Sequence, residues 1–213
     1  MSPDRAPLPV AARGAAALEE RLAFVLELER LKAVLRRTKP IGLERYENSA
    51  EHSWQIAVLA LVFADLADEP VDLGRVVRML LVHDIPEIDA GDTFVYADQA
   101  RADQAPVEEA AARRLFGLLP EPMGTELLAL WLEFEANATP EARFARAMDR
   151  LMPVLQNLNN EAQSWREHGI TRTQVEGKNH VIGHASRTLW EAVAARLEAA
   201  ERAGFFDHPG TKI

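Results

Sequence analysis

The chain has 213 residues, 48% of them hydrophobic and 27% charged, with a net charge of −9 and no cysteine. That length suits one domain with a core large enough to shelter a pocket, and the composition is that of an ordinary globular protein. Without cysteine there are no disulfides, zinc–thiolate or iron–sulfur sites and no thiol catalysis, and the acidic balance argues against a nucleic-acid polymer as main partner.

The opening MSPDRAPLPVAARG has no apolar signal-peptide core and reads as a flexible leader over 1–14. The longest apolar run, Ile56 to Ala64, is far short of the ~20 residues that span a bilayer, so no membrane partner and a cytoplasmic location are expected. Leu18, Leu22, Val25, Leu28, Leu31 and Leu35 recur every three or four residues and predict one helix from Ala15 to Arg36 with a buried stripe. Arg36, Arg37, Lys39 and Arg45 then form a local basic patch, suited to a small anionic substrate.

Asn48 with Glu51 three residues later predicts a capped helix start, and Ile56, Leu59, Phe63 and Leu66 continue the face that carries His52. A third helix is expected from Asp72, as N-cap, to His83-Asp84, closed by Pro86. Glu87 and Asp92 fall on the loop beyond it, and the stretch from Gly91 to Pro106 reads as a long connection with Phe94 and Tyr96 as aromatic contacts. Further helices are expected over Val107 to Leu118, Met123 to Glu135, Pro140 to Trp165 and Thr171 to Arg202. The fold class is therefore all-α: one domain over 15–203, with its core at 31–166, a C-terminal helix at 171–203 and a frayed tail at 204–213. The acidic, Ala-rich final helix offers a face for a homodimer, and Trp54, Trp131, Trp165 and Trp190 fall on stripes that predict core positions.

His52, His83, Asp84 and Asp149 all sit on apolar helix faces or at their ends, where an unpaired imidazole or carboxylate is costly. Each alone reads as a locally satisfied core residue, with Arg146 or Arg150 as ion-pair partner for Asp149, but one bound cation satisfies all four. Two imidazoles and two carboxylates suit one divalent ion without choosing among metals; the ion expected here is Mn²⁺, Co²⁺ or Fe²⁺, with Zn²⁺ or Mg²⁺ as alternatives. His180 and His184 in HVIGH are one helical turn apart, yet no Glu follows His180 and Gly183 weakens the helix, so they read as surface or packing residues.

EHSW at Glu51 to Trp54, HDIPE at His83 to Glu87, GDT at Gly91 to Thr93 and AMDRL at Ala147 to Leu151 resemble the HD superfamily, whose metal ligands follow the order H…HD…D. The branch it is most similar to is that of the YfbR-like 5′-deoxynucleotidases and related bacterial HD hydrolases, over Leu31 to Arg166. The resemblance implies an HD-domain helical bundle around a buried metal site, with His52, His83, Asp84 and Asp149 as ligands. It also implies Glu87 as catalytic carboxylate, Asp92 as a second acid facing substrate, and Arg37 with Arg45 on the phosphate. One departure stands out: where that branch has Arg-Trp, this chain has Arg37-Thr38, which keeps a phosphate contact and lacks an aromatic wall against the sugar. The expected reaction is metal-dependent hydrolysis of a small phosphorylated substrate, a nucleoside 5′-monophosphate, by metal-activated water. The alternatives are an HD phosphodiesterase, a nucleoside polyphosphate hydrolase, or a noncatalytic metal- or nucleotide-binding regulator.

Overall fold

A computed structural model describes residues 10–207, except for the side chains of 10–13 and 98–102. Among the described residues the chain is helical, with no strand and one isolated antiparallel bridge between Leu35 and Asn48. The helices are α1 (Val10–Glu27), α2 (Ser49–Phe63), α3 (Leu73–Val82), α4 (Glu87–Ala90) and α5 (Asp98–Phe116). They continue as α6 (Met123–Ala136), α7 (Pro140–Leu158), α8 (Gln163–Glu167), α9 (Arg172–Asn179) and α10 (Arg187–Arg202). None is long and apolar enough to cross a membrane.

Three helices frame the interior, and each starts where its cap dictates. At α2, Asn48 Oδ1 accepts from the Glu51 amide at 2.9 Å while Glu51 Oε1 accepts from the Asn48 amide at 2.7 Å, the reciprocal pair the sequence predicts. Asp72 caps α3 through the Arg75 amide, and Thr139 caps α7 ahead of Pro140. Ile56, Ala57 and Ala60 of α2 pack with Val76, Met79 and Leu80 of α3 and with Phe144, Ala145 and Met148 of α7 in one continuous core. At about 25 cal/mol per Å² of buried apolar surface, this shared core is the main force holding the three helices together.

Other boundaries move where long-range contacts compete with local periodicity. The first helix ends at Glu27, continues as a 3₁₀ turn over Leu28–Ala33, and gives way to extended backbone at Val34. There the Arg36 amide donates to the Glu47 carbonyl and the Ser49 amide to the Val34 carbonyl, so the chain pairs with 47–49 instead of coiling to Arg36. The expected stripe holds only in part: Leu28 and Leu31 pack inward, but Leu18, Leu22, Val25 and Leu35 are exposed, and Phe24, off the stripe, is buried. Phe24 packs against Phe116 of α5, ring centroids 6.4 Å apart.

The long connection shrinks to residues 91–97, because α5 begins at Asp98 and runs through Pro106. Glu87 opens the one-turn helix α4 rather than lying on a loop. The segment expected to be helical to Trp165 breaks after Leu158, where Glu161 and Ala162 take left-handed conformations and Asn157 Oδ1 accepts from the Trp165 amide at 3.1 Å. The final helix is also split, with His180–His184 as a 3₁₀ turn between α9 and α10. Asp68 holds that break by pairing with both the Ala185 carbonyl and the Arg187 amide. A Cβ on Gly183 would lie 3.2 Å from the Trp190 ring, so glycine permits the close approach.

The α10 stripe of Leu189, Val193 and Leu197 is buried within this chain. Trp131 and Trp165 are core residues and Trp190 packs against the core, but Trp54 is 64% exposed. It heads a solvent-facing stripe with Val58, Leu61 and Val62 on α2. Residues 1–9 of the expected leader and 208–213 of the expected tail lie outside the described residues. Residues 10–14 already belong to α1, and Phe206 stacks on Trp165 at 5.3 Å, so the chain remains packed past residue 204.

Candidate metal centre

His52 stands in the first turn of α2, His83 and Asp84 directly follow α3, and Asp149 lies mid-way along α7. The core packing of these three helices brings the four side chains together, and all four are buried. Donor atoms of His52, His83 and Asp149 lie within 4.8 Å of one another, and Asp84 Oδ1 lies 2.9 Å from His83 Nε2.

Both imidazoles are held from behind. His52 Nδ1 lies 3.1 Å from Glu47 Oε2 and His83 Nδ1 lies 2.9 Å from the Leu80 carbonyl oxygen. Those acceptors keep a proton on each Nδ1, so each Nε2 is the atom that faces the cluster. There His52 Nε2 lies 3.1 Å from Asp149 Oδ1. His83 Nε2 is buried and makes no directed hydrogen bond, even with Asp84 at 2.9 Å and Asp149 at 3.8 Å. The donor atoms of His52, His83 and Asp149 are placed so that they could hold one metal ion, with Asp84 beside His83.

The same demand appears in the titration of the pocket. Burial alone would lower the His83 imidazole, yet Asp84 and Asp149 raise it to about 10. Burial likewise opposes ionisation of Asp84, but His83 and Arg36 pull it down to about 2. Asp149 is also held well below its ordinary value against its burial, by the neighbouring His52 and His83 rings and the Arg150 guanidinium. Glu87 moves the other way: burial and the Asp84 charge push its carboxyl well above the ordinary range, and its Oε2 accepts from Ser49 Oγ at 2.6 Å. Asp92 is raised too, first by burial.

The structure brings Glu87 and Asp92 to the centre and separates the two arginines expected beside them. Arg45 is a surface residue paired with Glu51 and does not line the cavity. Arg37 lines the cavity with an exposed side chain. Its neighbour Arg36 enters the centre itself, 2.8 Å from Asp84 and 3.6–4.0 Å from Glu47, Asp149, Asp92 and Glu87. Desolvation works against that charge, but the surrounding carboxylates hold its guanidinium protonated. The basic run at 36–39 named Arg36 without showing that it turns inward; the extended backbone created by the Leu35–Asn48 bridge decides it.

A cavity opens from the acidic cluster to solvent, about 1000 Å³ with the open space at its mouth included. Phe94 and Tyr96 line it, packed edge to face at 5.1 Å. His180 and His184 stand apart from it, their rings 5.3 Å from each other.

An all-helical bundle closing two histidines and two aspartates, in the order H…HD…D, around one buried point defines a class of metal-site proteins. The HD domain family model matches residues 28–190, and this chain belongs to that family. Among its relatives is the 5′-deoxynucleotidase HDDC2 of Bos taurus, 34% identical over 137 residues that make up 62% of this chain and 65% of that one. The human protein of the same name is 31% identical over 62% of this chain and 66% of its own length. The chain thus spans just under two thirds of these two relatives. A crystal structure of a predicted metal-dependent phosphohydrolase from Magnetospirillum magnetotacticum MS-1 has the same fold, with a TM-score of 0.85 and 45% identity, covering 91% of this chain and 100% of that one.

Proposed function

We propose that this chain is a metal-dependent phosphomonoester hydrolase acting on nucleoside 5′-monophosphates, with His52, His83, Asp84 and Asp149 holding one divalent cation. The observation that carries the reading is the convergence of the two Nε2 lone pairs and the Asp84 and Asp149 carboxylates beside two further carboxyls whose protonation is favoured. When bound, the cation supplies a Lewis acid for the phosphoryl oxygen and makes a water in the site more acidic. Nitrogen and oxygen donors without thiolate favour Mn²⁺, Co²⁺ or Fe²⁺.

Glu87, held by Ser49, takes the proton of the attacking water at its carboxylate. Asp92, on the loop after α4, returns a proton to the leaving oxygen of the nucleoside. Burial biases both carboxyls towards the protonated form, as suits groups that pass a proton. Arg36 and Arg37 supply the positive charge that faces the phosphate, Arg36 from within the acidic cluster and Arg37 from the cavity wall. Thr38 turns its hydroxyl to Glu47 at 3.3 Å and builds no wall against the sugar.

The test is a screen of metal-stripped protein, reloaded with single divalent ions, against paired ribo- and deoxyribonucleoside mono-, di- and triphosphates. Phosphate release from the monophosphates is expected, with ribo and deoxyribo partners within about tenfold, ~1.4 kcal/mol, of each other in kcat/KM. Glu87→Gln should keep its metal and lose at least ~10²-fold in turnover. The reading is lost if no metal supports monophosphate cleavage. A deoxyribose preference above about a hundredfold would move sugar recognition to Phe94 and Tyr96.

A further inference from the structure

Glu47 is a carboxylate only 1% exposed, five residues before His52 and behind the metal centre rather than on the cavity wall. Burying such a group is costly unless every oxygen is satisfied. Its neighbours are all donors: His52 Nδ1 at 3.1 Å and Thr38 Oγ1 at 3.3 Å on Oε2, and Gln156 Nε2 at 2.5 Å on Oε1. Arg36 Nε lies 3.6 Å from Oε2. An all-acceptor role suits the ionised form. The two histidines therefore differ in what stands behind them, a charged carboxylate for His52 and a neutral backbone carbonyl for His83.

We infer that Glu47 is a positioning residue for the metal centre: it holds the proton on His52 Nδ1 and so directs Nε2 at the ion. This rests on His52 being a metal ligand, as proposed above. A carboxylate behind a ligating histidine strengthens the metal bond electrostatically, and losing such a partner typically costs 10–100-fold in affinity. Through the same oxygen Glu47 also reaches Arg36, so the ligand and the arginine nearest the acidic cluster share one anchor. The rival is a purely structural tie, in which Glu47 does no more than fasten the 36–49 segment to α7 through Gln156.

Charge placement separates the two. Glu47→Gln keeps the size of the side chain and removes the charge behind His52. The swap of Glu47→Gln with Gln156→Glu restores one carboxylate and one amide to the same buried space, but places the charge away from the imidazole. Co²⁺ titration of metal-stripped protein, with thermal melts of the metal-free forms, reads both effects. Glu47→Gln is expected to bind Co²⁺ 10–100-fold more weakly. The swap should recover the parent's melting temperature while remaining at least about tenfold weaker for the ion. Parent-like affinity in either variant overturns the inference. Should both variants fail to fold, nitrogen NMR of the Zn²⁺-loaded parent decides: a proton on His52 Nδ1 with Nε2 ligated supports it, and the reverse overturns it. A parent that takes up no ion overturns the metal reading itself, an outcome distinct from uptake that Glu47→Gln leaves unchanged.

Discussion

Arg36 and His83 show how far a side chain's chemistry depends on what the fold sets around it. For His83 the linkage has a definite sign. Below its ordinary value of 6.5 both folded and unfolded chains hold the proton, and the stabilisation from Asp84 and Asp149 is complete. Between 6.5 and about 10 only the folded, metal-free chain holds it, so that stabilisation is lost as pH rises. The metal-free protein should therefore melt at a lower temperature at pH 10 than at pH 6.5. Because an incoming ion must displace the same proton, metal uptake near neutrality should release about one proton and tighten as pH rises. Calorimetric titration in two buffers of different ionisation enthalpy measures that proton; a buffer-independent heat would remove His83 from the ligand set.

At the scale of elements, the start of α2 matters most, because the capping box that begins the helix also sets the register of His52 one turn later. Asn48→Ala removes the acceptor for the Glu51 amide and should cost about 1 kcal/mol, or ~2–4 °C in melting temperature for a domain of this size. Thermal denaturation of the variant checks the value, and no shift would mean that the bridge to Leu35 alone holds the segment. The end of α3 is set with similar economy. His83 is its C-cap, and Asp84, Ile85 and Pro86 turn the chain into α4, which delivers Glu87 to the side of Asp84. One short stretch thereby supplies two candidate ligands and the candidate proton carrier.

For the whole molecule, a cation shared by α2, α3 and α7 should act as a staple, since it binds the folded chain and not the separated helices. At a free concentration a hundredfold above its dissociation constant it should add about 2.7 kcal/mol. That corresponds to a rise of ~5–10 °C in melting temperature, reversed by a chelator. Calorimetric melts with and without Mn²⁺ test it. If the ion leaves the melting temperature unchanged, the three helices do not share it.

The features legible in the sequence are those whose causes lie within a few residues. Asn48-Glu51, Asp72 and Thr139-Pro140 are local signals, and the helices begin where they stand. His52, His83, Asp84 and Asp149 were recognisable because polar residues on apolar faces need a common partner, and their motifs match the HD pattern. What the tertiary structure decided depends on partners far along the chain. Arg36 rather than Arg37 enters the centre because Leu35 bridges to Asn48 and the backbone extends there. The second oxygen of the buried Glu47 is satisfied only once Gln156, 109 residues away, meets it. The last long helix breaks because Asp68 holds residues 185 and 187, and α1 turns Phe24 inward where Phe116 receives it. Periodicity can say that a helix has an apolar face; which neighbour meets that face, and which charge is left to be neutralised behind it, is settled only when distant segments close on one another and exclude water.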